Sequence, residues 1–114
     1  MSRVMVRYQV KPEQVARNEE LVRAVYDELH RVEPGGLRYA TFKLPDGVTF
    51  VHLADSDDQG TPLTGLAAFK AFQAGLRERC DEPPVVSELS EVGSFAWRDV
   101  RACTRYERSK PTAH

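Results

Sequence analysis

The chain has 114 residues, 41% of them hydrophobic, with 16 Lys and Arg against 17 Asp and Glu and a net charge of −1. That length predicts one domain, and the balanced charge argues against a nucleic acid or an anionic membrane as partner. No apolar run reaches membrane-spanning length and no apolar signal core precedes the first alternation, so a cytoplasmic protein is expected. Its two cysteines, Cys80 and Cys103, are too few and too far apart for a disulfide framework or a metal cluster.

In chain order, Val4, Val6, Tyr8 and Val10 alternate with Arg3, Arg7, Gln9 and Lys11, the period of a strand with one buried face. Pro12 suits the first position of a helix, where its missing N–H costs nothing. Val15, Val22, Val25, Tyr26 and Leu29 then recur at helical spacing. Gly in the run Glu33–Gly36 is expected to end that helix by taking the left-handed conformation.

The stretch LRYATFKLPDGVTFVHL, residues 37–53, reads as a hairpin turning at Pro45, Asp46 and Gly47. Pairing Leu44 with Gly47 sets Thr41 opposite Phe50 and Tyr39 opposite His52. One face then carries Leu37, Tyr39, Thr41, Phe50 and His52, and the other Arg38, Ala40, Phe42, Val51 and Leu53. Both faces are largely apolar, so each asks for a cover. Thr61 and Pro62 are expected to cap and open a second helix with Leu66, Phe69, Phe72 and Leu76 turned inward. The run DEPP, residues 81–84, is expected to stop it, and VVSELSEVGSFAW, residues 85–97, reads as a last, long strand. The order βαββαβ predicts an α+β, ferredoxin-like domain over residues 1–97, its antiparallel strands in the order 4-1-3-2. Residues 98–114 read as a C-terminal tail, mobile or laid across a partner.

VRYQVKP, GLRY, AFKAF and PPVVSEL, in that order, resemble the antibiotic biosynthesis monooxygenase-like family of dimeric α+β barrels. The resemblance runs over residues 3–95 and speaks to fold more than to function. It implies a homodimer in which two sheets meet face to face, with a small pocket in each subunit between sheet and helices. It also implies a cofactor-independent oxygenase acting on an electron-rich small molecule. Two departures stand out. Oxygenase members often carry Trp where this chain has Ser56. Haem-degrading relatives need a His on the second helix, and residues 63–80 contain none, with Ala68 standing before Phe69. No cofactor and no metal are expected.

His52 is the leading candidate for chemistry, as a base that removes a proton from a phenol or enol so that its anion meets dioxygen. Tyr39 or Tyr8 would orient the substrate oxygen. A single imidazole on an apolar strand face is equally a packed residue with satisfied nitrogens. Phe50, Phe69 and Phe72 line the same core and so any cavity in it. Arg38 and Arg7 could hold a carboxylate or enolate, or serve as ion-pair partners between subunits. The acidic run from Asp55 matches a calcium loop at Asp55, Asp57 and Gly60, but Gln59 and Leu66 stand where two further ligands belong, so it reads as a connecting loop. The expectation is a monooxygenase-like protein acting on a phenol or enol. The alternative is a non-catalytic dimeric ligand-binding or accessory protein on the same scaffold.

Overall fold

The computed structural model describes residues 2–56 and 62–95. The elements are β1 (Ser2–Val10), a 3-10 turn (Pro12–Gln14), α1 (Val15–Val32), β2 (Leu37–Lys43), β3 (Thr49–Ser56), a second 3-10 turn (Pro62–Gly65), α2 (Ala67–Gln73), α3 (Leu76–Arg79) and β4 (Cys80–Glu88). One sheet in the order β2-β3-β1-β4 is antiparallel throughout. The predicted α+β, ferredoxin-like topology is the observed one, since 4-1-3-2 and 2-3-1-4 are the same order.

Alternation in β1 and β3 sends Tyr8, Val10, Phe50 and His52 to one face, where Val22 and Val25 of α1 and Phe69 and Phe72 of α2 cover them. The predicted inward stripe of the second helical segment is buried at all four positions, although the segment is not one helix. Gly75 at φ +77° turns the chain between α2 and α3, a conformation that costs glycine little. The expected cap is also different. Thr61 lies outside the described residues, and the N-cap residue Leu66 makes no side-chain bond. Glu28 of α1 instead accepts a 2.8 Å hydrogen bond from the Ala68 backbone N–H, so a neighbouring helix satisfies the first turn of α2.

Three further expectations are corrected. At the end of α1 the left-handed residue is Glu33, at φ +53°, whose N–H bonds Leu29 O at 2.7 Å. The hairpin register differs by two residues: Thr41 pairs with His52, Tyr39 with Ala54 and Lys43 with Phe50. The cause is Asp46, whose carboxylate accepts from the N–H of Val48 and of Thr49, both at 2.9 Å, and from Thr49 Oγ1 at 2.5 Å. These bonds favour a loop closing Leu44 onto Thr49. A slip of two preserves which face each side chain occupies, so the predicted faces stand.

The last strand starts at Cys80 and ends at Glu88, earlier at both ends than the pattern predicts. The prolines of DEPP lie inside it. Among the described residues β4 is an edge strand paired with β1 alone, and its register shifts between Arg7–Val85 and Gln9–Glu82, on either side of Pro83 and Pro84. Proline is tolerated at such an edge irregularity because no ladder donor is needed there. Residues 89–95 follow without regular structure, and Val92 and Phe95 are exposed. The predicted tail lies outside the described residues. Among the described residues no helix is long and apolar enough to cross a membrane.

Candidate active site

His52 stands on β3 with β1 on one side and β2 on the other, its Cα opposite Val6 and Thr41. Its imidazole is 4% exposed. Tyr8 comes from β1, and its hydroxyl lies 2.8 Å from Nε2. Tyr39 comes from β2, and its hydroxyl lies 2.6 Å from Nδ1, with Thr41 Oγ1 at 3.2 Å from the same nitrogen. Thus each ring nitrogen meets a phenol. With both nitrogens engaged, neither is free to ligate a metal in this arrangement, and no three of His, Cys, Asp and Glu gather into a metal-holding group among the described residues.

Aromatic rings surround the imidazole. Phe72 is 5.4 Å away centroid to centroid, and Tyr8 stacks on Phe50 at 5.6 Å with planes 9° apart. Phe69 reaches the group through Phe72 at 6.0 Å. Burial in this shell disfavours the cation and pushes the His52 pKa down to about 4, so the ring is neutral at physiological pH. The same burial raises Tyr8 and Tyr39 well above an ordinary phenol and keeps both protonated.

Two polar residues that sequence reasoning overlooked complete the site. Asn18 of α1 is fully buried and donates from Nδ2 to the Tyr8 hydroxyl at 2.9 Å. Arg79 of α3 is also buried, and its Nε donates to Asn18 Oδ1 at 3.2 Å. The guanidinium further donates to the carbonyls of Phe72 at 2.8 Å and Ala74 at 3.3 Å, and lies 5.4 Å from the Phe72 ring centroid. Among the described residues these partners are neutral, so a buried cation is held by dipoles and a ring rather than by a carboxylate. A signal for both was present: Asn18 interrupts the stripe Val15–Val22–Val25, and Arg79 continues Phe69–Phe72–Leu76. On the half-buried side, Tyr26 of α1 stacks on Tyr39 at 5.3 Å and its hydroxyl lies 2.8 Å from Thr41 Oγ1.

The structure therefore gathers His52, Tyr39, Tyr8, Phe50, Phe69 and Phe72. It does not bring Arg38 to them. Alternation along β2 sends Arg38 to the opposite face, where its guanidinium pairs with Asp55 Oδ2, the oxygen that Arg3 also contacts at 2.8 Å. Arg7 is exposed and shares that outer parity. Asp55 thus serves two arginines, and Asp57, Gln59 and Gly60 of the acidic run lie outside the described residues.

Known proteins share this architecture. Over 82% of this chain and all of its own length, a crystal structure of an antibiotic biosynthesis monooxygenase superposes with a TM-score of 0.68 at 20% identity. A Mycobacterium tuberculosis protein matches 82% of this chain and 97% of its own at 17% identity and a TM-score of 0.64. A point mutant of SnoaB, a cofactor-independent oxygenase from Streptomyces nogalater, covers 83% of this chain and 96% of its own at 15% identity and a TM-score of 0.62. Identities this low speak to the fold. The comparison with curated proteins returned no match. The family model described as antibiotic biosynthesis monooxygenase matches residues 1–75, from β1 through α2, which hold every site residue named above except Arg79. By that match over more than half its length, the chain belongs to the antibiotic biosynthesis monooxygenase family.

Proposed function

We propose that this protein is a cofactor-independent monooxygenase acting on an electron-rich small molecule, a phenol or an enol, with His52 and Tyr39 at the reacting oxygen. The carrying observation is the neutral imidazole held between two phenols in a dry aromatic shell. Such a reaction asks little else of a protein. The substrate loses a proton, its anion adds dioxygen at carbon, the resulting peroxide anion takes up a proton, and the hydroperoxide loses water. For a reacting CH2 the sum is CH2 plus O2 giving C=O plus H2O. A water-poor cavity strengthens every hydrogen bond to the developing anion. Tyr8, Phe50, Phe69 and Phe72 give the substrate an apolar seat. On this reading Arg38 holds the outer face together rather than the substrate.

We also propose a homodimer formed through the outer sheet face. Phe42 is 48% and Val85 61% exposed there, beside half-buried Ala40, Val51 and Leu53, and monomers rarely leave so much apolar surface bare. One observation favours a second reading, a dimeric ligand-binding protein without chemistry: among the described residues every buried side-chain polar atom already has a partner. Oxygen uptake separates the two. A panel of phenols and enols should yield at least one substrate consumed with stoichiometric dioxygen and no added cofactor. Tight binding of such molecules without oxygen consumption would favour the second reading.

A further inference from the structure

The hydrogen bonds around His52 have a direction that the chemistry of their members dictates. A guanidinium has donors and no acceptor. Arg79 therefore orients the Asn18 amide with its oxygen toward the guanidinium and its NH2 toward Tyr8. An amide NH2 donates only, so the Tyr8 oxygen accepts. Tyr8 is 1% exposed, and its own O–H must find an acceptor inside the protein. Nε2 of His52, at 2.8 Å, is that acceptor. An accepting Nε2 carries no proton, so the neutral ring carries its proton on Nδ1. Nδ1–H then donates to Tyr39 at 2.6 Å, with Thr41 as a longer alternative.

At that half-buried end three hydroxyls meet: Tyr39, Thr41 and Tyr26. They bring three hydrogens. Thr41 Oγ1 lies 2.8 Å from the Tyr26 hydroxyl, and that link uses one of the hydrogens. At least one is left to donate beyond the cluster.

We propose that Arg79, Asn18, Tyr8 and His52 form a one-way chain of donors that ends on the Tyr39–Thr41–Tyr26 hydroxyls and there binds the anionic oxygen of an enolate or phenolate. His52 is then a hydrogen-bond donor in the reaction rather than its base, and the substrate's proton leaves to solvent. Asn18 and Arg79 are positioning residues that act through Tyr8. A buried cation at the closed end polarises each bond outward, and chains of this kind strengthen one another in a low dielectric. The proposal rests on the functional reading above for its substrate class, whereas its account of the proton positions stands on geometry alone.

The first test needs no variant. Nitrogen-15 NMR of histidine-labelled full-length protein should show His52 as the Nδ1–H tautomer across neutral pH. An Nε2–H tautomer or a protonated ring would overturn the chain. The second test is Asn18→Asp, whose carboxylate accepts from Tyr8 and frees Nε2 to take the ring proton, so the tautomer should switch. A folded variant with the wild-type tautomer would remove Asn18 from its positioning role. The third test uses a nitrophenol, whose anion is coloured. Bound to the protein it should ionise roughly ten- to a hundredfold more readily than free, the range of a charge-assisted hydrogen bond, and Tyr39→Phe should reduce that gain. No binding, or binding as the neutral phenol, would overturn the anion site. None of these readouts needs oxygen turnover, so a failed oxygen-uptake screen and a failed donor chain remain distinguishable.

Discussion

The two faces of the sheet solve one problem in opposite ways. The inner face is closed over Tyr8, Val10, Phe50 and His52 by the chain's own helices, and its polar atoms are wired to one another from Arg79 to Tyr39. Among the described residues nothing covers the outer face: Phe42 and Val85 are open to solvent, and a cluster joins Arg3 and Arg38 to Asp55, with Glu91 on the far side of Arg3. The contrast separates the two proposals: the polar chain lies within one subunit, whereas the bare apolar residues of the outer face carry the proposed dimer contact.

A charge on the outer face should break this picture most severely. Val51→Glu is expected to cost assembly about 3–5 kcal/mol, the scale for an unpaired charge in a dry contact. Sedimentation should find monomers that keep wild-type near-ultraviolet dichroism. A dimer unaffected by the change would place the interface elsewhere, and a wild-type monomer at micromolar concentration would remove the interface altogether.

The corresponding change on the inner face is His52→Ala. Turnover of an ionisable substrate should fall by roughly 10²–10³-fold, as when one oxyanion donor is lost, with the dimer intact. Melting measured on the same samples separates this from loss of fold, because Tyr8 and Tyr39 lose a partner and stability drops by about 1–3 kcal/mol. Full activity per folded molecule would end the catalytic role.

Between about pH 6.5 and 4, acid should act on the inner face through His52. Folding lowers the His52 pKa from 6.5 to about 4, so the unfolded chain binds the proton more readily. Stability from this group is complete above about pH 6.5 and declines as pH falls towards 4, by about 3 kcal/mol in all. Melting curves across that window should steepen for the wild type relative to His52→Gln. Parallel curves would mean that folding leaves the His52 pKa unchanged.

The smallest expected effect concerns the helix layer that keeps the inner face dry. Glu28→Ala removes the acceptor for the Ala68 N–H and should cost about 1 kcal/mol, the usual scale of a helix cap. Thermal unfolding checks it, and no measurable loss would mean that water replaces the carboxylate at the start of α2.

Much of this molecule was legible in advance for an identifiable reason. Alternation in β1 and the hairpin states which side chains share a face, and parity survives a slip of two residues, so His52, Tyr39, Tyr8 and Phe50 were rightly grouped while the register was not. The stripe Leu66–Phe69–Phe72–Leu76 was readable as buried, yet the kink at Gly75 and the cap from Glu28 were not, since one depends on a glycine with many allowed conformations and the other on a residue forty positions away. The end of β4 was misplaced because the apolar alternation continues past the point where β1 stops offering partners.

Periodicity, being a local property, was sufficient to determine the order of the elements, the two faces of the sheet and the inward stripes of the helices. Pairing was left to the tertiary structure. Asn18 and Arg79 are 61 residues apart and each looks misplaced in an apolar stripe. Only when α1 and α3 meet above β1 does the guanidinium orient the amide, the amide orient the phenol, and the phenol set the proton on His52. A buried donor takes its direction from what it meets in space, and no spacing along the chain encodes that meeting.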